Sequence, residues 1–240
     1  MRQYHKEDLI SYALGMTIVF ECLKWTPKHI REVFFHSKLH QNEHTERLID
    51  LLNQQHIPYT TQDKIFNILS PKENCFVIAS VEKYEQTIDH EANHLVLVEP
   101  ENAGNLGTVL RTALGFGIRN IAIIGPSVDP FDPKTIRASM GALFGLSLQQ
   151  FPTFAAYKQE HSHHHFYPFM LQTDNLLGSM PIEAPFALIF GKESAGLDRS
   201  YLKVGTPLRI AHEDVIDSLN LTNAISIALY EANRDKQRSS

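Results

Sequence analysis

LVLVEPENAGNLGTVLRTALGFGIRNIAIIG, residues 95–125, reads as a strand, a turn, a helix and a second strand. The apolar runs at either end are continuous rather than alternating, which fits strands buried on both faces. Between them, Glu99 and Pro100 end the first strand and Gly104 and Gly107 predict a tight connection. TVLRTALGFG then predicts a helix ending near Gly115 or Gly117. Further apolar strands are expected at Phe186–Phe190 and at residues 208–211. Strands alternating with helices imply an α/β fold with a parallel sheet covered by helices on both faces.

With 240 residues, 43% of them hydrophobic and 20% charged, the chain has room for one large or two modest cores. No apolar stretch approaches the roughly 20 residues that span a bilayer. The opening MRQYHKEDLI lacks the apolar region of a signal peptide, so a cytoplasmic protein with no membrane partner is expected. Cys22 and Cys75 are too few and too far apart for a disulfide framework or a four-cysteine zinc site, and buried reduced thiols are expected. The net charge of −5 supplies no global attraction to nucleic acid, so any RNA binding must rest on a local basic patch. Lys24, Lys28, His29, Arg31, His36 and Lys38 near the amino terminus, and Lys134 with Arg137, are the candidates, set against a merely solvated surface.

Residues 1 to about 90 read as a small α/β unit in which VFF from Val33 and FVIAS from Phe76 alternate with helix-like stretches. Leu48, Leu51 and Leu52 recur at helical spacing between His44 and Gln54, ahead of Pro58. The polar EKYEQTIDHEANH from Glu82 then divides a domain over residues 1–90 from one over 91–240. The HSHHHF tract from His161 has no ordered second ligand set, so a surface loop holding no metal is expected.

Three Gly/Asn-containing segments follow one another in the second half: NAGNLGTVLRTA from Asn102, IFGKESAGL from Ile189 and IDSLNLTNAISIALYEANR from Ile216. Each joins an apolar run to residues that permit tight turns, which suggests one cleft at the carboxyl ends of the strands, where open α/β sheets hold ligands. A helix amino terminus opening there suits anionic groups. Arg111 lies among apolar and small residues, so its charge needs a partner, either a structural ion pair with Glu193 or Glu231 or a functional one. Glu193 is likewise a site residue or a solvated loop carboxylate. The spacing of Gly191 and Gly196 imitates a P-loop, but Leu197 and Asp198 stand where Lys and Ser/Thr are required, and no G-x-G-x-x-G occurs. ATPase and nicotinamide chemistry are therefore disfavoured. Asn220 is a credible helix cap, and Leu221, Ala224, Ile225, Ala228, Leu229 and Ala232 form one helical face. Ile227 and Tyr230 add apolar surface on another side, which points to a dimer contact.

This layout resembles the SpoU (TrmH) branch of the SPOUT RNA methyltransferases over most of residues 92–240. Asn105, Gly107 and Arg111 match Asn-x-Gly-x-x-x-Arg, while Gly191, Glu193 and Gly196 match Gly-x-Glu-x-x-Gly. Ser218, Asn220 and Thr222 match Ser-x-Asn-x-Ser/Thr, Glu231 matches a helical Leu-Tyr-Glu, and TIRASMGALFGL from Thr135 is similar to Arg-x-Ser-x-Gly-Ala. Asn223 departs from the small or apolar residue common at its place. ECLKWTPKHIREVFFHSK from Glu21 and NCFVIASV from Asn74 resemble the L30e-like domain that often precedes the catalytic one, with Cys75 where a Gly-containing turn is usual.

The resemblance implies a SPOUT fold with a C-terminal trefoil knot, a homodimer, and methyl transfer from S-adenosylmethionine to a ribose 2'-hydroxyl of rRNA or tRNA. It implies a catalytic group of Arg111, Asn105, Glu193 and Asn220, and a cofactor-binding set of Ile189, Gly191, Gly196, Ile210, Ser218, Leu219 and Asn220. RNA contacts are implied for Arg111, Arg137 and Ser139, with Lys28 and Arg31 in the amino-terminal domain. A guanidinium stays protonated, so Arg111 is expected to stabilise alkoxide charge or hold a phosphate while water or another acceptor takes the proton. The transfer calls for no metal, because the leaving sulfonium loses its charge. A non-catalytic RNA-binding or ribosome-assembly protein and an RNA base methyltransferase are the alternatives.

Overall fold

A computed structural model describes residues 4–70, 74–213 and 215–234. In chain order its first elements are β1 (Ile10–Leu14), α1 (Met16–Trp25), β2 (Ile30–Phe35), α2 (Glu43–Gln54), β3 (Tyr59–Thr61), α3 (Asp63–Leu69) and β4 (Val77–Glu82). They continue with β5 (His94–Val98), α4 (Ala103–Gly115), β6 (Asn120–Ile124), α5 (Pro133–Ala138), β7 (Ser147–Phe151), α6 (Phe154–Glu160), β8 (His165–Pro168), β9 (Phe186–Phe190) and α7 (Leu221–Ala232). None of the described helices is long and apolar enough to cross a membrane. The chain divides into two compact units, Met1–Tyr84 with Asp129–Gly145, and Glu85–Val128 with Leu146–Ser240.

In the first unit the sheet order is β1-β4-β2-β3, with β4 antiparallel to both its neighbours and β3 parallel to β2. Helix α2 begins one residue before the expected His44, because the Asn42 side chain accepts a hydrogen bond from the Thr45 N–H at 3.1 Å. Its apolar stripe buries Leu48 and Leu52 completely. The division differs from the expected break at residue 90: Asp129–Gly145 folds with the first unit. Lys83 Nζ meets Asp129 Oδ2 at 2.6 Å, the Ser11 hydroxyl donates to the Phe131 carbonyl, and the Tyr84 ring packs edge-on to Phe131. The small residues of the Thr135 stretch permit this packing, since a Cβ on Gly141 would lie 2.8 Å from the Glu21 Cβ and one on Gly145 would lie 3.0 Å from the Trp25 ring.

The second unit holds a five-stranded sheet of order β7-β6-β5-β9-β8, with every neighbouring pair parallel, as the continuous apolar strands predict. Val96, Ala122, Ile124, Ala187 and Ile189 share one core with Tyr157 of α6, while the alternate residues Leu95, Ile121 and Leu188 are equally buried. Helices α4 and α7 pack on each other, and α7 packs on β9.

Three local expectations are corrected. Gly104 and Gly107 lie inside α4 rather than in a connection, because Asn102 caps the helix earlier, its Oδ1 accepting from the N–H groups of Gly104 and Asn105 at 2.8 and 3.1 Å. Residues 208–211 form no strand; Leu208 and Arg209 make only isolated bridges to Phe169 and Leu176, and the preceding Pro207 has no N–H with which to extend the ladder. The histidine tract is not a plain surface loop. His161 and His164 are buried, and His164 Nε2 donates to the Ala92 carbonyl at 2.8 Å. Beside them the fully buried His94 donates to the Asp89 carbonyl and accepts from the Tyr157 hydroxyl, both at 2.8 Å. Burial lowers the pKa of His94 to about 3 and of His161 to about 4, so both rings are neutral at pH 7.

Candidate functional site

Strand β5 pairs with β9 in a register that sets Leu97 beside Phe190, so the turns leaving the two strands emerge side by side. Four contacts join them. Lys192 Nζ donates to Glu99 Oε2 at 3.1 Å, and Ser194 Oγ to Glu101 Oε2 at 2.9 Å. The Glu193 carboxylate accepts from the Glu101 N–H at 3.3 Å and from Asn105 Nδ2 at 3.2 Å. The hydrogen bond and charge of Glu99 raise the Lys192 pKa. Glu193 is thus not a free loop carboxylate: it ties the start of α4 to the loop after β9.

That loop closes on itself. The Gly196 N–H donates to the Lys192 carbonyl at 2.9 Å, and Gly196 has φ +67°, a conformation that favours glycine. Gly191 is held by lack of space, since a Cβ there would lie 2.1 Å from the Gly196 carbonyl carbon and 2.4 Å from the Leu197 nitrogen.

A cavity of about 330 Å³ opens beside the loop, a size within the range of small-molecule sites. Gly191, Glu193, Gly196 and Leu197 line it together with Leu208, Ile210, Ser218, Leu219, Leu221 and Ala224. Of the expected cofactor set, Gly191, Gly196, Ile210, Ser218 and Leu219 therefore reach the wall. Ile189 does not; it is fully buried in β9, one residue before Phe190, which does. Asn220 is not part of the wall; it is exposed and caps α7, its Oδ1 accepting from the Thr222 N–H at 2.9 Å and the Thr222 hydroxyl at 2.6 Å. Removing that acceptor in Asn220→Ala should cost about 1 kcal/mol in urea unfolding, with Asn220→Asp keeping most of it.

The wall also includes Phe169, Met170, Leu171 and Gln172 beyond β8, together with Arg209 and His212, which the sequence reading did not single out. The signal available for the first group was the short apolar HFYP of β8. The Nε of Arg209 is buried and has no hydrogen-bond partner among the described residues, leaving a cationic donor on the wall for an acidic ligand group.

Arg111 is placed differently from the expectation of a buried charge. It lies exposed on α4, outside the cavity wall, and among the described residues it has neither a hydrogen-bond nor an ion-pair partner. Both carboxylates considered for it are engaged elsewhere, Glu193 with Asn105 and Glu231 with Arg234 at 2.8 Å. In the first unit Lys28 is exposed, Arg31 is exposed in a 2.9 Å pair with Glu82, and Arg137 is exposed on α5. Ser139 is fully buried, its hydroxyl donating to the Ile136 carbonyl at 2.8 Å, so in this conformation it is a packing residue that RNA does not reach.

A parallel sheet whose carboxyl edge carries a closed glycine loop, a capped helix and an apolar cavity defines an α/β domain built to hold a small molecule. Residues 92–230 match the SpoU rRNA Methylase family, and the chain belongs to it. It is 32% identical over 157 residues to a protein of Synechocystis sp. described as an uncharacterised tRNA/rRNA methyltransferase, with 63% of this chain and 56% of that one covered. It is 28% identical over 145 residues to the 23S rRNA (uridine(2479)-2'-O)-methyltransferase of Streptomyces viridochromogenes, with 57% and 50% covered. The chain spans about half the length of these curated relatives. The SpoU methyltransferase AviRb from Streptomyces viridochromogenes, solved in complex with the cofactor AdoMet, has a similar fold. The TM-score is 0.81 at 19% identity, covering 96% of this chain and 92% of that chain.

Proposed function

We propose that the chain is an S-adenosylmethionine-dependent RNA methyltransferase that acts on a ribose 2'-hydroxyl of rRNA or tRNA. The observation that carries this reading is the junction at Glu193, which fixes the start of α4 at Asn105 against the glycine loop beside the cavity. The cavity suits the cofactor chemically. Phe190, Leu197, Leu208 and Leu219 offer an apolar bed for a purine, and Arg209 Nε offers a donor for a carboxylate. The AdoMet-bound relative of the same fold and the uridine 2'-O-methyltransferase relative support the cofactor and the reaction.

When bound, the cofactor supplies an electrophilic methyl group on a sulfonium. The S–CH₃ bond breaks as the bond to the ribose oxygen forms, the sulfur leaves as a neutral thioether, and the hydroxyl proton passes to water or a nearby acceptor. In this scheme the loop from Gly191 to Gly196 positions the donor, Asn105 and Glu193 hold the two turns at a fixed separation, and Arg111 stabilises the developing alkoxide or an adjacent phosphate.

We further assign to the second unit a trefoil knot through the chain that lines the cavity between residues 191 and 224, and a homodimer contact through the exposed Ile227 and Tyr230 of α7. The first unit is assigned as an L30e-like RNA-binding domain presenting Lys28, Arg31 and Arg137, and the site of action as the cytoplasm.

The test is calorimetry with S-adenosylhomocysteine, followed by incubation of the full chain with rRNA or tRNA and S-adenosylmethionine and mass analysis of the digested nucleosides. Cofactor-product binding and a 2'-O-methyl nucleoside are expected. No binding at millimolar ligand rules out the enzyme reading, and a base-methylated nucleoside reassigns the acceptor.

A further inference from the structure

At the amino-terminal edge of the parallel sheet, opposite the cavity, the end of α6 and the chain entering β5 gather a histidine cluster that the proposed reaction does not use. His161 is fully buried, and neither ring nitrogen has a hydrogen-bond partner among the described residues. A neutral imidazole carries one N–H donor and one lone pair, so both go unmet, which folded interiors rarely tolerate. Two half-exposed groups face it. Glu160 Oε1 lies 3.7 Å from His161 Nε2 and 3.8 Å from His90 Nε2, and among the described residues its one other polar contact is the Gln149 amide at 3.5 Å. The ligand atoms of His90, Glu160 and His161 all lie within 4.8 Å of one another.

We propose that His90, Glu160 and His161 form a three-ligand zinc site that ties the end of α6 to the segment before β5. Bond lengths near 2.0–2.1 Å in a tetrahedron separate ligand atoms by about 3.4 Å, against 3.7 and 3.8 Å here for the two pairs that include Glu160, and the half-exposed His90 and Glu160 side chains turn inward to close the site. Two imidazoles and one carboxylate suit zinc rather than magnesium or calcium, which take oxygen ligands, and the carboxylate offsets part of the charge. Solvent fills the fourth position. A second trio, His94, His161 and His164, also lies within 4.8 Å. It is the poorer choice, because both nitrogens of His94 already have partners and three neutral rings bring no charge. His164 takes a supporting part instead. Its Nδ1 is a buried acceptor without a hydrogen-bond partner among the described residues, and its ring stands edge-on to His161 at 5.5 Å between centroids, where the remaining N–H of a zinc-bound His161 can turn toward it.

The experiment uses tag-free full-length protein, stripped with a chelator and titrated with zinc chloride against a chromophoric competitor. One zinc per chain and a higher melting temperature are expected. His161→Ala should abolish binding. His90→Ala and Glu160→Gln, surface changes that leave the apo fold intact by circular dichroism, should each weaken it by about tenfold or more. His165→Ala, in the same tract but outside the trio, should not change it, and S-adenosylhomocysteine affinity should be the same with and without zinc. No stoichiometric zinc at 100 µM, unchanged affinity in both surface variants, or an equal loss in His165→Ala overturns the proposal.

Discussion

Arg111→Ala is expected to bind S-adenosylmethionine within about twofold of the parent and to methylate RNA about 10²–10³-fold more slowly, the scale of losing one charged stabiliser of a transition state. The separation of effects follows from placement. Arg111 is off the cavity wall, so no cofactor contact is lost with it. It is exposed and unpartnered among the described residues, so truncation removes no ion pair and stability should move by no more than about 0.5 kcal/mol. A cation left free on the helix that Asn102 caps and Asn105 ties to the glycine loop is available to RNA. Arg111→Lys keeps the charge without the planar fork and should recover only part of the rate. The readouts are calorimetry and single-turnover methylation. Normal turnover by Arg111→Ala removes the residue from the mechanism, and a parallel loss of cofactor binding makes it a structural residue instead.

Gly191→Ala should have the opposite signature, a fall in cofactor affinity of about 10²-fold, roughly 2.8 kcal/mol of binding free energy. The new Cβ would lie 2.1 Å from the Gly196 carbonyl carbon and 2.3 Å from its oxygen, and those are backbone atoms with no rotamer to yield. The loop must open, and with it move Glu193 and its bonds to Glu101 and Asn105. Equilibrium dialysis with S-adenosylhomocysteine measures the loss, and Gly115→Ala at the end of α4, where an added Cβ meets nothing within 4 Å, serves as the control. Unchanged affinity in Gly191→Ala would mean that the cofactor does not use this loop.

The parallel sheet was legible because β5, β6 and β9 are unbroken apolar runs, and α7 because its apolar positions recur at helical spacing behind Asn220. Strands β7 and β8 were not, since SLQQF is mostly polar and HFYP has only four residues. The wall residues beyond β8 were lost with it. Helix α4 was placed well but started late, because a side-chain cap at Asn102 outweighed the two glycines that looked like a turn. Arg111 was read as buried from its apolar neighbours, yet its position on the helix turns it outward, a rotation that composition does not encode. The histidine tract was read as a surface loop for a similar reason: His90 and His94 come from a segment about seventy residues away, and spacing within the tract says nothing of them.

The pairing of β5 with β9 joins His94 to Ala187, residues 93 apart in number, and the junction between Asn105 of α4 and Glu193 exists only once that pairing is made. Closing so long a loop is slow compared with forming the local β5–α4–β6 unit. On dilution from denaturant, far-ultraviolet circular dichroism should therefore recover before S-adenosylhomocysteine binding does, and a nascent chain released before residue 190 would display half a pocket with no means of closing it.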